Sequence, residues 1–244
     1  GGSSVLPHVN LAWSQNFLWN GKVQGTLEDI MLFEVQEFFE VDLDLLKEHA
    51  TYPELFKNAF GTCEITDELV AKGLAQWFRR LKSSNSKFDR YQQQQEQLTN
   101  EELNGMTIFF TEKGDCFHCH GIPLMTNNEF HNIGLDSIFT GNNVGRNYIT
   151  GSPYDMGKFK TPTLRNVELT SPYMHDGRFT TLEEVVEHYN SEVKRSATVD
   201  PIMTKPGKEY GLQLTEQEKQ DLVAFLKTFT DWDFVNDTTL ASPF

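Results

Sequence analysis

Cys116-Phe117-His118-Cys119-His120 decides how the rest of this chain is read. Two cysteines three positions apart, followed at once by a histidine, form the C-x-x-C-H attachment signature of c-type haem. The spacing has a mechanical reason. Cysteines three apart lie near one another on one helical turn, so both thiols can add to the two haem vinyl groups. The adjacent His120 then presents its imidazole to the iron as proximal ligand. A redox dithiol needs no following histidine and usually comes after a strand. A zinc site on Cys116, Cys119 and His120 or His131 would lack a second C-x-x-C or an H-x-x-x-H pair. Haem c is favoured over both. Cys63, the third cysteine, has no partner motif and reads as an inert thiol.

Outward from the motif the signals are helical. Thr99-Asn100-Glu101-Glu102 is a capping box that predicts a helix through Phe110, ahead of the cysteines. Thr181 to Glu184 and Thr215 to Glu218 repeat the device. The last launches Leu222, Val223, Phe225 and Leu226, a late amphipathic helix placed to bracket a cofactor against the motif. Upstream, Leu69, Val70, Leu74, Trp77, Phe78 and Leu81 recur at helical spacing after Thr66. Leu27 to Phe39 reads as one helix or two helical pieces. No hairpin and no strand–helix alternation is evident. Between Gly121 and Thr180, Gly, Asn, Pro and Thr are frequent and apolar periodicity is weak. A loop region that long needs something besides its own packing to organise it.

Composition bounds the function. The 244 residues carry 21 Lys plus Arg against 35 Asp plus Glu, a net charge of −14. So acidic a balance argues against a nucleic-acid or anionic-membrane surface. An apolar share of 38% is enough for a core. No apolar run approaches the roughly 18 residues of a membrane-spanning helix. Three cysteines exclude a disulfide scaffold. The start, Gly1-Gly2-Ser3-Ser4, reads as a loop or a cut end.

Phe159-Lys160-Thr161-Pro162-Thr163-Leu164-Arg165-Asn166 and Leu169-Thr170-Ser171-Pro172-Tyr173-Met174-His175-Asp176-Gly177 resemble the bacterial dihaem cytochrome c peroxidase and MauG family. Asn10-Leu11-Ala12-Trp13, Phe17-Leu18-Trp19-Asn20-Gly21-Lys22 and Ser86-Lys87-Phe88-Asp89-Arg90-Tyr91 extend the match. It runs from about Val5 to Trp232. The family pairs a peroxide-activating haem in its N-terminal half with an electron-relaying haem in its C-terminal half. The resemblance implies that Cys116, Cys119 and His120 hold the relaying haem. The first C-x-x-C-H is absent, so a second haem is expected from a segment missing here.

Site residues follow from the same resemblance. Trp19 matches the tryptophan between the two haems. Glu40 falls where the family places a carboxylate beside the peroxide site, suited to proton transfer. Tyr189 falls at the sixth-ligand position, where electron-relay peroxidases have Met and MauG-like enzymes Tyr. A phenolate there would stabilise oxidised iron. Met125, Met156, Met174 and Met203 also lie downstream, though a lone Met is more often packing. Thr170 and Pro172 match carbonyl donors to a calcium ion, with Ser4 where a third donor is usually Asn. His175 and Asp176 read as structural, bonding near a haem propionate. Ile30, Glu34 and Gly114 depart from the family. Gly114 replaces the tryptophan with which MauG faces its protein substrate, so that job is not supported.

The expected fold is all-α: a cytochrome c-like helical haem domain with long loops over residues 99–244, plus residues 1–98 as the helical remnant of a second haem domain. The expected function is reduction of hydrogen peroxide with electrons relayed through the C-terminal haem. A monohaem electron carrier or an inactive fragment is the alternative. The expected donor is a small protein such as a cytochrome c or cupredoxin, and a homodimer is compatible with the family. Haem c is assembled outside the cytoplasm, which implies the periplasm.

Overall fold

Each predicted cap forms. In the computed structural model, which describes residues 3–209 and 211–242, the Thr66, Thr99, Thr181 and Thr215 side chains each accept from the third amide of a helix's first turn. The chain falls into two compact units, the first Gly1–Pro7, Leu18–Lys22 and Ser83–Phe244, the second His8–Phe17 and Val23–Lys82.

The second unit contains the strand pair β1 (Asn16–Phe17) and β2 (Val23–Gln24), antiparallel with Phe17 opposite Val23. Helix α1 (Leu27–Phe33) follows under a Thr26–Asp29 capping box. It runs into a π-helical turn, Glu34–Phe38, so the Leu27 to Phe39 segment is two helical pieces. Helices α2 (Leu43–Glu48), α3 (Tyr52–Phe60) and α4 (Asp67–Arg80) complete the unit. Leu27, Ile30, Met31, Val35, Ala71 and Ala75 are buried together between α1, the π turn and α4. The two alanines let α4 approach closely.

The first unit is built on two helices that cross. After α5 (Lys87–Gln92) come α6 (Asn100–Phe109), α7 (Asn147–Thr150), α8 (Leu182–Ser191), α9 (Glu216–Lys227) and α10 (Trp232–Val235). Helices α6 and α9 make the most extensive helix contact in the protein. Gly105 permits it: a Cβ there would lie 2.0 Å from the Asp221 carbonyl oxygen. Beside the crossing, Phe88, Phe109, Phe225 and Phe229 interlock edge to face. Their ring centroids lie 5.2 Å apart for Phe88–Phe225 and 5.5 Å for Phe109–Phe225. Such pairs add about 0.5–1.5 kcal/mol each beyond area burial.

The Gly121–Thr180 region is mostly irregular, and β3 (Phe130–His131) pairs antiparallel with β4 (Phe159–Lys160). Two-residue pairs are too short to leave an alternating pattern, which is why the sequence shows no hairpin. Buried polar groups hold the loops instead. Arg165 grips both carboxylate oxygens of Asp89, at 2.8 and 2.9 Å, and donates to the Pro123 carbonyl. Asp89 also closes the Ser86 capping box of α5. Burial raises the Asp89 pKa, but Arg165 and Ser86 outweigh it and hold the carboxyl below its usual range.

Removing Arg165 would strand a buried carboxylate. Arg165→Met is expected to cost about 3–5 kcal/mol in urea unfolding. Because the folded Asp89 pKa is depressed, its contribution is full above the ordinary carboxylate range and is lost as pH falls through the lowered value. Wild type should therefore lose stability in that acid window more steeply than the Asp89→Asn, Arg165→Met pair. Equal urea midpoints in wild type and Arg165→Met would contradict this role.

Candidate haem site

The motif sits on a tight turn. Helix α6 ends at Phe109, and Gly114 turns the chain with its N–H donating to the Ile108 carbonyl at 3.0 Å. A Cβ on Gly114 would lie 2.4 Å from that same oxygen, so a large side chain has no room there. Cys116–His118 form one 3-10 turn. The His120 N–H bonds the Cys116 carbonyl at 2.9 Å, which brings the two thiols and the imidazole round to one side. Asp115 anchors the turn through Lys205, at 2.8 Å, and through Lys208.

Cys116, Cys119 and His120 line a deep cleft within the first unit. It encloses about 1600 Å³ of empty space, the open solvent at its mouth included. Its walls are largely apolar: Phe109, Leu164 and Val167 beside the motif, Leu182, Val185 and Val186 from α8, and Leu222 and Leu226 from α9. Both cysteines are free thiols. Burial and the neighbouring Asp115 charge push the Cys116 thiol up to about 12.

His120 is prepared as a neutral ligand. Its Nδ1 donates to the Met125 carbonyl at 3.0 Å, leaving the Nε2 lone pair for a metal. Such a partner fixes the tautomer and orientation of a ligating imidazole. Burial pushes its pKa down to about 4, although the Met125 and Pro162 carbonyls favour the charged form. A large flat apolar group with two thiol anchors and one imidazole ligand fits these residues. The donor set and the cleft agree with haem c and lack the closed tetrahedral set of structural zinc.

Tyr189 and Trp19 line the same cleft. Tyr189 projects from α8, and its hydroxyl makes no hydrogen bond among the described residues. Burial and then the nearby Cys119 and Cys116 thiols push its phenol above the ordinary range. Trp19 donates its indole N–H to the Ser4 carbonyl at 2.7 Å and packs edge-on to His175, ring centroids 6.5 Å apart. Thr170 and Pro172 also line the cleft. The Ser4 hydroxyl donates to the Pro172 carbonyl at 3.0 Å. These neutral oxygens fall short of the 6–8 ligands Ca²⁺ takes, so water would have to supply the rest of the shell. Glu40 belongs to the second unit, where it is exposed and has a φ of 45°. Met174 and Met203 line the cleft as well; Met125 and Met156 are not among its lining residues.

His131 and Asp200, 69 residues apart, form a pair that no local motif announces, with Nδ1 2.6 Å from the carboxylate. The Asp200 bond first, and the Cys119 thiol second, push the imidazole up to about 10. His131 also lines the cleft. Only the β3/β4 pairing and the loop near residue 200 bring these groups together, and neither carries a local pattern.

A deep apolar cleft armed with two thiols and a neutral imidazole defines a c-type cytochrome. Residues 102–230 match the cytochrome c family model, and residues 1–97 match the model of di-haem cytochrome c peroxidase. The chain belongs to the di-haem cytochrome c peroxidase and MauG family. It is 34% identical to the methylamine utilization protein MauG of Methylorubrum extorquens, over 91% of this chain and 63% of that protein. It is also 34% identical to the cytochrome c551 peroxidase of Nitrosomonas europaea, over 73% of this chain and 49% of that protein. The chain thus spans less than two thirds of these curated relatives. Among solved structures, a MauG-like protein associated with microbial copper homeostasis superposes with a TM-score of 0.85 at 29% identity. That superposition covers all of this chain and 79% of the other. The helix-rich architecture with short strand pairs agrees with the expected all-α class. No helix among the described residues is long and apolar enough to cross a membrane.

Proposed function

We propose that this chain is the electron-relaying part of a haem c peroxidase that reduces hydrogen peroxide. The observation that carries the reading is one cleft lined by Cys116, Cys119, His120, Tyr189 and Trp19, residues spread over most of the chain. Bound there, haem c supplies a one-electron couple. Cys116 and Cys119 hold the group permanently, His120 offers its neutral Nε2, and Tyr189 offers its unpartnered hydroxyl from α8. Trp19, fixed by its bond to Ser4, provides an aromatic step for electrons leaving the cleft. Reduction of one peroxide to two waters takes two electrons and two protons. In this proposal a second haem contributed by another segment is the peroxide site, and Glu40 moves a proton there.

The proposed donor is a small protein such as a cytochrome c or cupredoxin, which the net charge of −14 would attract if its docking face is basic. The proposed compartment is the periplasm, where haem c is attached. One observation favours a second reading, a monohaem electron carrier: the sequence contains a single C-x-x-C-H. Peroxide-dependent oxidation of a reduced cytochrome or a dye by the haem-loaded protein separates the two. Turnover well above that of free haem is expected; turnover equal to free haem would leave the carrier reading. Gly114, pressed on the Ile108 carbonyl, offers no aromatic side chain to a protein substrate, which supports a small oxidant and a redox donor as reactants.

A further inference from the structure

Lys160 is a buried lysine with no partner to justify it. It is 6% exposed, and among the described residues no carboxylate forms an ion pair with it. Its Nζ reaches only the Thr161 carbonyl, at a long 3.5 Å. A buried charge without a counter-charge is expensive, and proteins normally pair it. Burial pushes the ammonium down to about 8, which still leaves it mostly charged at neutral pH. Its place is also definite. The Lys160 N–H donates to the Trp19 carbonyl at 2.8 Å, and Lys160 lines the same cleft as the C-x-x-C-H residues.

A second group on that wall is also incomplete. His175 is 4% exposed and lines the cleft. Its ring stacks on Phe159, the residue before Lys160, with centroids 3.7 Å apart. Its Nε2 bonds the Asn143 side-chain oxygen at 3.0 Å, and the Asn143 amide in turn donates to Asp136. Nδ1 is the one buried side-chain polar atom with no hydrogen-bond partner among the described residues. Buried polar atoms are otherwise satisfied as a rule. His175 donates from Nε2 to the Asn143 oxygen, so its Nδ1 is an acceptor, and it is the unpaired ammonium of Lys160 that calls for an anion at the cleft. A carboxylate would accept from the Lys160 ammonium.

We propose that Lys160 is the counter-ion of a haem propionate. This rests on the haem c reading above. The chemistry required is a carboxylate, and a free organic anion would satisfy the same group, so the test must separate the two sources. Lys160 is a positioning residue that sets the electrostatics of the pocket; it does not touch reacting atoms.

The experiment is a redox titration of the haem-loaded protein as wild type, Lys160→Met and Lys160→Arg, after the Soret band of the denatured protein has established covalent loading. Failure to load in wild type would count against the haem reading itself. In loaded protein, removing the cation leaves the propionate charge uncompensated, which favours ferric iron. Lys160→Met is expected to shift the ferric/ferrous equilibrium toward ferric by about tenfold, about 59 mV for one electron, while Lys160→Arg stays near wild type. Equal potentials in wild type and Lys160→Met would overturn the proposal. So would a wild-type potential that follows added acetate, because the anion would then be exchangeable. Should Lys160→Met fail to load, infrared spectra with ¹³C-labelled propionates decide. A carboxylate band that moves between wild type and Lys160→Arg is expected; coincident bands would overturn it.

Discussion

Replacing Cys116 and Cys119 together by serine is expected to abolish covalent haem. The denatured double variant should show no Soret band, while each single variant retains one thioether and a reduced yield. The cause is geometric. The Cys116–His118 turn and the His120 N–H bond to the Cys116 carbonyl set both thiols at one cleft, and serine hydroxyls do not add to vinyl groups. Stability should fall as well. The cleft walls come from α6, α8, α9 and the loop around Leu164, and a tightly held group that binds only the folded state stabilises that state. Thermal unfolding of the double variant is therefore expected well below that of the loaded wild type. A double variant that kept its Soret band after denaturation would contradict the assignment.

Tyr189→Phe is expected to change the ferric spectrum and raise the midpoint potential. A phenolate ligand stabilises ferric iron, so its loss should favour the ferrous state by at least about tenfold, or about 59 mV. Phenylalanine keeps the ring that packs edge-on to His188, centroids 5.3 Å apart, so folding should be unaffected. The hydroxyl makes no hydrogen bond within the described residues, and its removal leaves no buried group unpaired. An unchanged spectrum would point to Met174 or Met203, which line the same cleft, or to an open position.

How far the sequence could be read depended on whether a feature was local. The Thr99, Thr181 and Thr215 capping boxes are written within four residues each, and all three form. The C-x-x-C-H turn is equally local, and so is the π turn, although nothing in Glu34–Phe38 distinguishes it from ordinary helix. Non-local features were silent. His131 meets Asp200 across 69 residues, and Arg165 meets Asp89 across 76. Lys160 stands in a segment without apolar periodicity, and only its burial beside the Trp19 carbonyl reveals an unpaired charge. The long Gly121–Thr180 segment lacks periodicity because hydrogen bonds from side chains such as Arg165, Thr126 and Thr163 organise it in place of an apolar face.

In the proposed function, Cys116 and Cys119 carry one haem c whose iron faces His120. Intact mass spectrometry of the denatured protein, made in cells that assemble haem c, tests it most directly. A mass equal to the chain plus one haem is expected, with a Soret band that survives denaturation. A mass equal to the chain alone, with no such band, would contradict it.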